Sequence, residues 1–452
     1  MAGLMISTSG VRGVVGDTFT PEVALGMAAA FAEVAPPGPI VVASDGRTSG
    51  EVLRSACLVG LAAMGRAAID LGVATTPTTA IAVPARNAAG AIIVSASHNP
   101  AEWNGLKFLG PDGTFIRQQT LDQLIVRWER GDFRWRAWDQ IEAVTRWSEG
   151  ARVHVDRVLA LDVMDVGLCR RARIPVVLDT IFASGGTVAP RLLTELGCDV
   201  VQVNGEVTGR FTRMPEPVPE NIASLGEVVR SSGAAVGLVL DPDADRLALI
   251  DENGAAIGEE YTLALAVYAI RRKKRGGPVV ANLSTSRMLD DLAQMLSFPV
   301  YRTPVGEINV VEGMLARDAD LGGEGNGGVI YRDLHLGRDG ILGIALIVQL
   351  LAEERTPLSE LLRVLPRYVI MKQKVSVPPD RRKEALGHVE SLAKQLGAET
   401  DTCDGVKLIL PDRWLHVRPS NTEPVLRIIT EAPTEADALA LCEQAHEAMS
   451  CG

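Results

Sequence analysis

Cysteine is scarce and scattered. Six occur in 452 residues, at Cys57, Cys169, Cys198, Cys403, Cys442 and Cys451, and no two form a Cys-x-x-Cys pair. That spacing excludes a zinc ribbon or a disulfide-framed domain and fits a reducing cytoplasm. Long apolar runs are also missing. A membrane-spanning helix needs roughly 18–20 apolar residues in succession. The longest candidate, GILGIALIVQLLAEE, is interrupted by Gln349 and runs into charge, so it reads as a buried core helix. The first residues, MAGLMISTSG, lack a basic segment followed by an apolar one, and no signal peptide is expected. Positive charge is short as well. Lys and Arg number 45 against 56 Asp and Glu, a net charge of -11, with no basic stripe to offset it. Nucleic acid and membrane surfaces are therefore not expected partners. One cationic cluster, Arg271 to Arg275, closes a helical pattern. Cations there complement the helix dipole, so it reads as a solvated helix end.

What is present is enough for large cores, with 47% hydrophobic and 22% charged residues. At roughly 100–200 residues per domain the length predicts about three or four domains. Three segments repeat one order of elements: Pro39 to Gly65, Ile174 to Gly197 and Gly277 to Ser297. Each is a β-branched apolar run, a polar loop, then a helical period. A short second strand follows each, in RAAIDLG, CDVVQVN and FPVYRT. Each unit then reaches a third strand with a polar loop: VSASHNP, VLDPDADR and LGGEGNGG. Alternating strands and helices predict α/β units with helices on both faces of each sheet. Ligands in such sheets sit beyond the carboxyl ends of strands, so three equivalent loops would converge on one cleft. Beyond Pro366 strands run consecutively with helices set apart, which reads as a smaller α+β domain.

The loops carry the chemistry. DPDADR places Asp241, Asp243 and Asp245 at alternate positions between two apolar strands. Three carboxylates so close repel unless a cation lies among them, and a few oxygen ligands suit magnesium. An EF-hand requires glycine at the sixth position, where Arg246 stands. Arg246 would pair with the carboxylates or bind phosphate bidentately. Ser97 ends a buried strand in AIIVSASHNP with no Gly-x-Ser-x-Gly elbow around it. A serine hydroxyl without a base is a poor nucleophile. Phosphorylated, it becomes a phosphoryl donor and a further metal ligand beside the aspartates. His98 would hold that loop by a hydrogen bond. Lys107, in NGLKF, could move protons beside a desolvated phosphate. RPSNTEP gathers Arg418, Ser420, Asn421 and Thr422 with a run of backbone N–H groups, a phosphate cradle in chemical terms. GGEGNGG offers Glu324 and Asn326 to sugar hydroxyls, and STSGVRG places Arg12 between glycines as an anion contact.

Together and in this order, STSGVRG, SASHNP, DPDADR, GGEGNGG and RPSNTEP resemble the α-D-phosphohexomutase family across essentially the whole chain. The resemblance implies three similar α/β/α mixed-sheet domains and a smaller α+β C-terminal domain around a central cleft. The expected boundaries are 1–150, 151–254, 255–366 and 367–452. It implies a phosphosugar mutase that exchanges hexose 6- and 1-phosphates through a phosphoserine and a bisphosphorylated sugar. By position, Ser97 matches the phosphoryl carrier, and Arg12 and Lys107 match residues that assist proton transfer beside it. With His98 these form the expected catalytic set. Asp241, Asp243, Asp245 and the serine match the Mg2+ ligands. Glu324 and Asn326 match the sugar-hydroxyl loop, and Arg418, Ser420, Asn421 and Thr422 match the grip on the non-reacting phosphate. Arg246 joins the substrate-binding set. Hexose 1,6-bisphosphate is the implied activator, hexose phosphates are the implied partners, and the form is a monomer or homodimer. Many members carry serine and then histidine late in the third loop, where this chain has Asn326 and Gly328. The loop looks closer to an archaeal-type phosphoglucosamine mutase branch with Glu-Glu-Asn-Gly-Gly. Glucosamine phosphate is thus the expected sugar, with mannose or glucose phosphates the alternative. A phosphosugar phosphatase or a sugar-phosphate sensor would have less use for this full set.

Overall fold

The computed structural model describes residues 3–420 and 425–450. Each of the three repeats builds the same sheet. In the first, Ile40–Ser44 lies between Ala68–Val73 and Gly90–Val94, parallel to both, and Trp103–Leu109 returns antiparallel beside Gly90–Val94. In the second, Pro175–Asp179 lies between Asp199–Val203 and Val236–Leu240, with Leu247–Asp251 returning. In the third, Val279–Asn282 lies between Val300–Thr303 and Leu321–Glu324, with Gly328–Tyr331 returning. The first sheet is widened to seven strands by Met5–Ser7, Gly10–Val14 and Val144–Arg146.

The sequence dictates these elements locally. Ile40–Ser44, Gly90–Val94 and Val236–Leu240 are buried at every residue, as parallel-sheet interiors covered on both faces must be. Helix Pro21–Val34 starts at Thr20, whose hydroxyl accepts from Val23 N–H. Helix Thr76–Ala85 starts at Thr75, which accepts from Thr78 N–H at 3.0 Å. In both, a proline occupies the first turn, where its missing N–H costs nothing.

The apolar run at 340–354 is the expected core helix. Asp339 caps it, accepting from Ile341 and Leu342 N–H at 2.8 and 3.0 Å. Gly340–Glu354 packs against Val166–Ala172 and Ala189–Glu195 of the second unit and Glu260–Arg271 of its own. Buried along nearly its whole length, it merges the second and third units into one core that extends from Val155 to Leu365 and is joined by Ile81 of the first unit. Among the described residues no helix is long and apolar enough to cross a membrane.

The cationic cluster departs in part from expectation. Arg271 is buried and pairs with Asp320, and Arg272 and Lys273 reach Glu353. Lys274 bonds Asp162 at 2.7 Å. Arg271 is drawn into the interior and Arg272 and Lys274 tie the helix to its neighbours, whereas Lys273 and Arg275 remain exposed as expected of a solvated helix end.

The last part is an antiparallel sheet of Val369–Val375, Leu426–Ala432, Trp414–Pro419, Val406–Ile409 and Glu399–Asp401, in that spatial order. Helices Arg382–Leu396 and Glu435–Ser450 cover it, and it has a core of its own.

Candidate active site

The loops after the third strands of the first two units meet. Ser97 is 1% exposed and has left-handed backbone, φ +49°. Its Oγ lies 3.1 Å from Asp241 Oδ2 and 3.3 Å from His98 Nδ1. The bend at Ser97 is locked from below. Ser97 N–H donates to Ser95 Oγ at 2.8 Å, and Ser95 donates to Asp45 Oδ2 at 2.7 Å. Arg47 completes the lock. It pairs with Asp45 at 3.1 Å and donates to the carbonyls of Ser97, Asn99, Pro100 and Trp103 at 2.5, 2.7, 2.6 and 3.1 Å. One buried guanidinium thus shapes the whole serine loop.

Asp241, Asp243 and Asp245 are fully buried, and one oxygen from each lies within 4.8 Å of the others. Asp243 Oδ1 and Asp245 Oδ1 have no hydrogen-bond partner among the described residues. Burial, then the charges of Asp245 and Asp243, raise Asp241 well above the ordinary carboxylate value. Burial also works against Asp243, but Lys107 and Thr76 hold it below that value. Buried carboxylates with orphaned oxygens and mutual repulsion fit a small divalent cation. Glu252, twelfth from Asp241, lies beyond strand Leu247–Asp251 and accepts from Ser359 N–H; it closes no calcium loop.

Cations surround this centre. Lys107 Nζ lies 2.5 Å from Asp243 Oδ2 and 3.5 Å from Asp245 Oδ2. Burial disfavours its charge, but those two aspartates outweigh it and raise its pKa. Arg12 comes from strand Gly10–Val14, which pairs with the strand carrying Lys107. It donates to Asn99 Oδ1 at 2.8 Å and the Ala96 carbonyl at 3.3 Å, while its Nε has no partner among the described residues. Burial lowers it to about 10, which leaves it charged at neutral pH. Burial, then Arg246 and Arg12, push His98 well below the usual histidine value, so it is a neutral imidazole beside Ser97. Arg246 lies 3.7 Å from both Asp245 and Glu216. From the first unit, Thr76 donates to Asp243 Oδ2, and its N–H bonds the Asp243 carbonyl at 2.9 Å.

Glu324, at the end of the third unit's third strand, is tied to the same centre through Arg338. That guanidinium bonds Asp245 at 2.6 Å, Glu307 at 2.8 Å and Glu324 at 2.9 Å. Glu324 also accepts from Asn282 at 2.7 Å, Gly306 N–H at 3.1 Å and Asn326 at 3.4 Å. A side chain on Gly325 would collide with the Glu260 carboxylate, which accepts from Ser286 N–H at 3.0 Å. Burial, only partly offset by Lys372, raises Glu260 to about 8.

Arg418 lies on Trp414–Pro419 directly opposite Arg427 on Leu426–Ala432. Its Nε bonds Asp404 Oδ2 at 2.8 Å. Two guanidiniums in register on one sheet face repel, an arrangement suited to an anion. Ser420 N–H bonds the Val425 carbonyl at 2.9 Å. Asn421 and Thr422 lie outside the described residues. A cleft of about 770 Å³ draws walls from all four parts, among them Arg12 and His98, Glu216, Glu260, Lys372 and Arg427. Of the residues singled out in the sequence, Arg12 and His98 line it, whereas Ser97, Lys107, the aspartates, Arg246, Glu324, Asn326 and Arg418 do not.

Sequence reasoning missed Arg47, Arg338, Arg427 and Glu260. Arg47 had a faint signal in SDGR, where Asp45 lies within reach, but Arg338 pairs with Asp245, Glu307 and Glu324, far from its own GRDG run. Arg427 depends on strand register and Glu260 on a helix start, which no local pattern shows.

Four family models match in order. They are the phosphoglucomutase/phosphomannomutase alpha/beta/alpha domains I at 3–135, II at 152–254 and III at 258–368, and the C-terminal domain at 373–448. A phosphoglucomutase/phosphomannomutase of Thermococcus kodakarensis is 39% identical over 442 residues, 96% of each chain. A probable phosphoglucosamine mutase of Methanopyrus kandleri is 35% identical over 446 residues, 98% of this chain and 97% of the other. A solved phosphoglucomutase/phosphomannomutase family protein from Burkholderia thailandensis superposes with a TM-score of 0.86 at 27% identity, covering 98% of both chains.

Proposed function

Because the chain belongs to the phosphoglucomutase/phosphomannomutase family, we propose that it is a phosphosugar mutase exchanging hexose 6- and 1-phosphates at Ser97. The observation that carries this reading is the Ser97 hydroxyl 3.1 Å from Asp241, inside a buried aspartate triad with orphaned oxygens.

Phosphorylated Ser97 donates to a sugar hydroxyl. The serine O–P bond breaks, the sugar O–P bond forms, and the hydroxyl proton leaves to a nearby base. The resulting bisphosphorylated sugar turns over in the cleft and returns its other phosphate to Ser97. Asp241, Asp243, Asp245 and the Ser97 oxygen would hold Mg2+, which supplies charge neutralisation at the transferring group. Arg12 orients that group, and Lys107 moves the proton between serine and sugar oxygens. His98 fixes the Ser97 rotamer. Glu324 and Asn326 read sugar hydroxyls, and Arg246 adds a cation beside the aspartates and Glu216 for the substrate. Arg418 and Ser420, with Asn421 and Thr422, grip the remote phosphate, whose binding energy positions the reacting end. A trace of hexose 1,6-bisphosphate would restore any serine that had lost its phosphate.

Glucosamine phosphate is the sugar we favour, since several relatives are named probable phosphoglucosamine mutases. The relative at 39% identity is named for glucose and mannose phosphates, and these are the second reading. The five described cysteines are all unpaired, which suits the cytoplasm we assign to the enzyme.

The test is phosphorus NMR with magnesium, a trace of bisphosphate and one sugar per tube: glucosamine 6-phosphate, glucose 1-phosphate or mannose 1-phosphate. Interconversion is expected, and the fastest tube names the sugar. Inorganic phosphate accumulating without isomerisation would replace this reading with a phosphatase.

A further inference from the structure

Among the contacts between the fourth part and the third is a carboxylate that no motif contains. Asp404 stands in the turn between Glu399–Asp401 and Val406–Ile409. The turn lies tight against the phosphate-loop strand, because a side chain on Gly405 would collide with the Val417 carbonyl and crowd Arg418. Asp404 Oδ2 accepts from Arg418 Nε at 2.8 Å and from Val305 N–H at 2.9 Å. The next residue, Gly306, donates to Glu324 Oε1 at 3.1 Å. Glu324 Oε2 accepts from Arg338 at 2.9 Å, and Arg338 reaches Asp245 at 2.6 Å. The Asp404 backbone carbonyl is held by His416 Nε2 at 2.7 Å, and His416 Nδ1 contacts Ser284 Oγ at 3.0 Å. The turn is thus fastened on both sides.

We propose that Asp404 is a positioning residue that fixes the Arg418 guanidinium for the remote phosphate and sets its distance from the sugar loop by holding Val305. The chain Arg418, Asp404, Val305–Gly306, Glu324, Arg338, Asp245 then fixes the spacing between the remote-phosphate grip and the reacting centre. A mutase must present either end of its substrate to one serine, so this spacing must match the sugar with each phosphate in turn. The carboxylate acts through Arg418 and touches no substrate. A charged acceptor suits the task, since hydrogen bonds to ionised groups are shorter and stronger than neutral ones.

This inference rests on the reading of Arg418 as the phosphate grip, and the experiment separates the two. Steady-state mutase kinetics would be run on the full chain and on Asp404→Ala, Asp404→Asn, Arg418→Ala and the double variant Asp404→Ala/Arg418→Ala, with thermal melting of each. Asp404→Ala is expected to raise KM about tenfold while kcat falls less than threefold. Asp404→Asn, which keeps an acceptor for Val305, should retain part of the loss. In the Arg418→Ala background the Asp404 change should add nothing further. An unchanged KM in Asp404→Ala, or an equal additional loss in the double variant, overturns the positioning role while leaving the grip intact. An unchanged KM in Arg418→Ala instead overturns the grip, and the proposal with it.

Discussion

At Ser97 the backbone is left-handed, a conformation that costs a residue with a side chain roughly 1–3 kcal/mol. Four carbonyl bonds from Arg47 and the Ser95–Asp45 pair offset that cost. Ser97→Ala should therefore keep the fold and lose mutase turnover; circular dichroism and the NMR assay check both, and near-native rates would end the phosphoserine mechanism. Arg47→Lys should lower kcat at least tenfold with KM changed less than twofold, because a lysine cannot span four carbonyls. A KM effect with kcat preserved would count against it. Glu260 gives a pH signature. Its folded pKa, about 8, is above that of the free side chain, so stability is full at low pH and lost as pH rises through 8. Glu260→Gln should melt with the native chain near pH 5 and a few degrees above it near pH 9. An equal difference at both pH values would refute this. Residue by residue, the meeting of Ser97 with the aspartates was legible because their loops follow apolar strands at equivalent places in two repeats. The arginines that hold those loops were not, since a guanidinium reaches partners fifty residues away.

Helix Gly340–Glu354 shows what an element does here. Leu346, 1% exposed, sits in a core shared by the second and third units. Leu346→Ala should cost about 2–5 kcal/mol and should loosen Pro175–Asp179 and Val279–Asn282 together by hydrogen exchange. Loss of protection in one strand alone would mean two separate cores. The three repeats were readable as elements from their apolar runs, polar loops and helical periods. Their fusion was not, because a helix that is apolar on every side names no neighbour. The same limit explains the cationic helix end: Arg271 looked solvent-facing until Asp320 and Glu353 were brought beside the helix terminus. The glycine loop carries another lesson. Its Gly325 leaves room for a carboxylate supplied by Glu260, where the Glu-Glu-Asn pattern would supply one from the loop itself.

Across the whole molecule, the fourth part has its own core and meets the third through polar contacts at Asp404, His416 and Lys407. Scanning calorimetry should show it unfolding as a separate transition, raised by inorganic phosphate, with the fused middle units melting later. A single phosphate-insensitive transition would refute that division. The pairing of Ser97 with Asp241 also has a meaning in time. The two are separated by 144 positions, so at ribosomal speeds the serine is made roughly seven to thirty seconds before its first aspartate. During that interval Thr76 has no Asp243 to meet and Lys107 has no carboxylates. A nascent chain therefore carries a serine without a reaction centre. The contacts of Ser97 with Asp241 and of Lys107 with Asp243 form only once the second unit has left the ribosome and folded against the first.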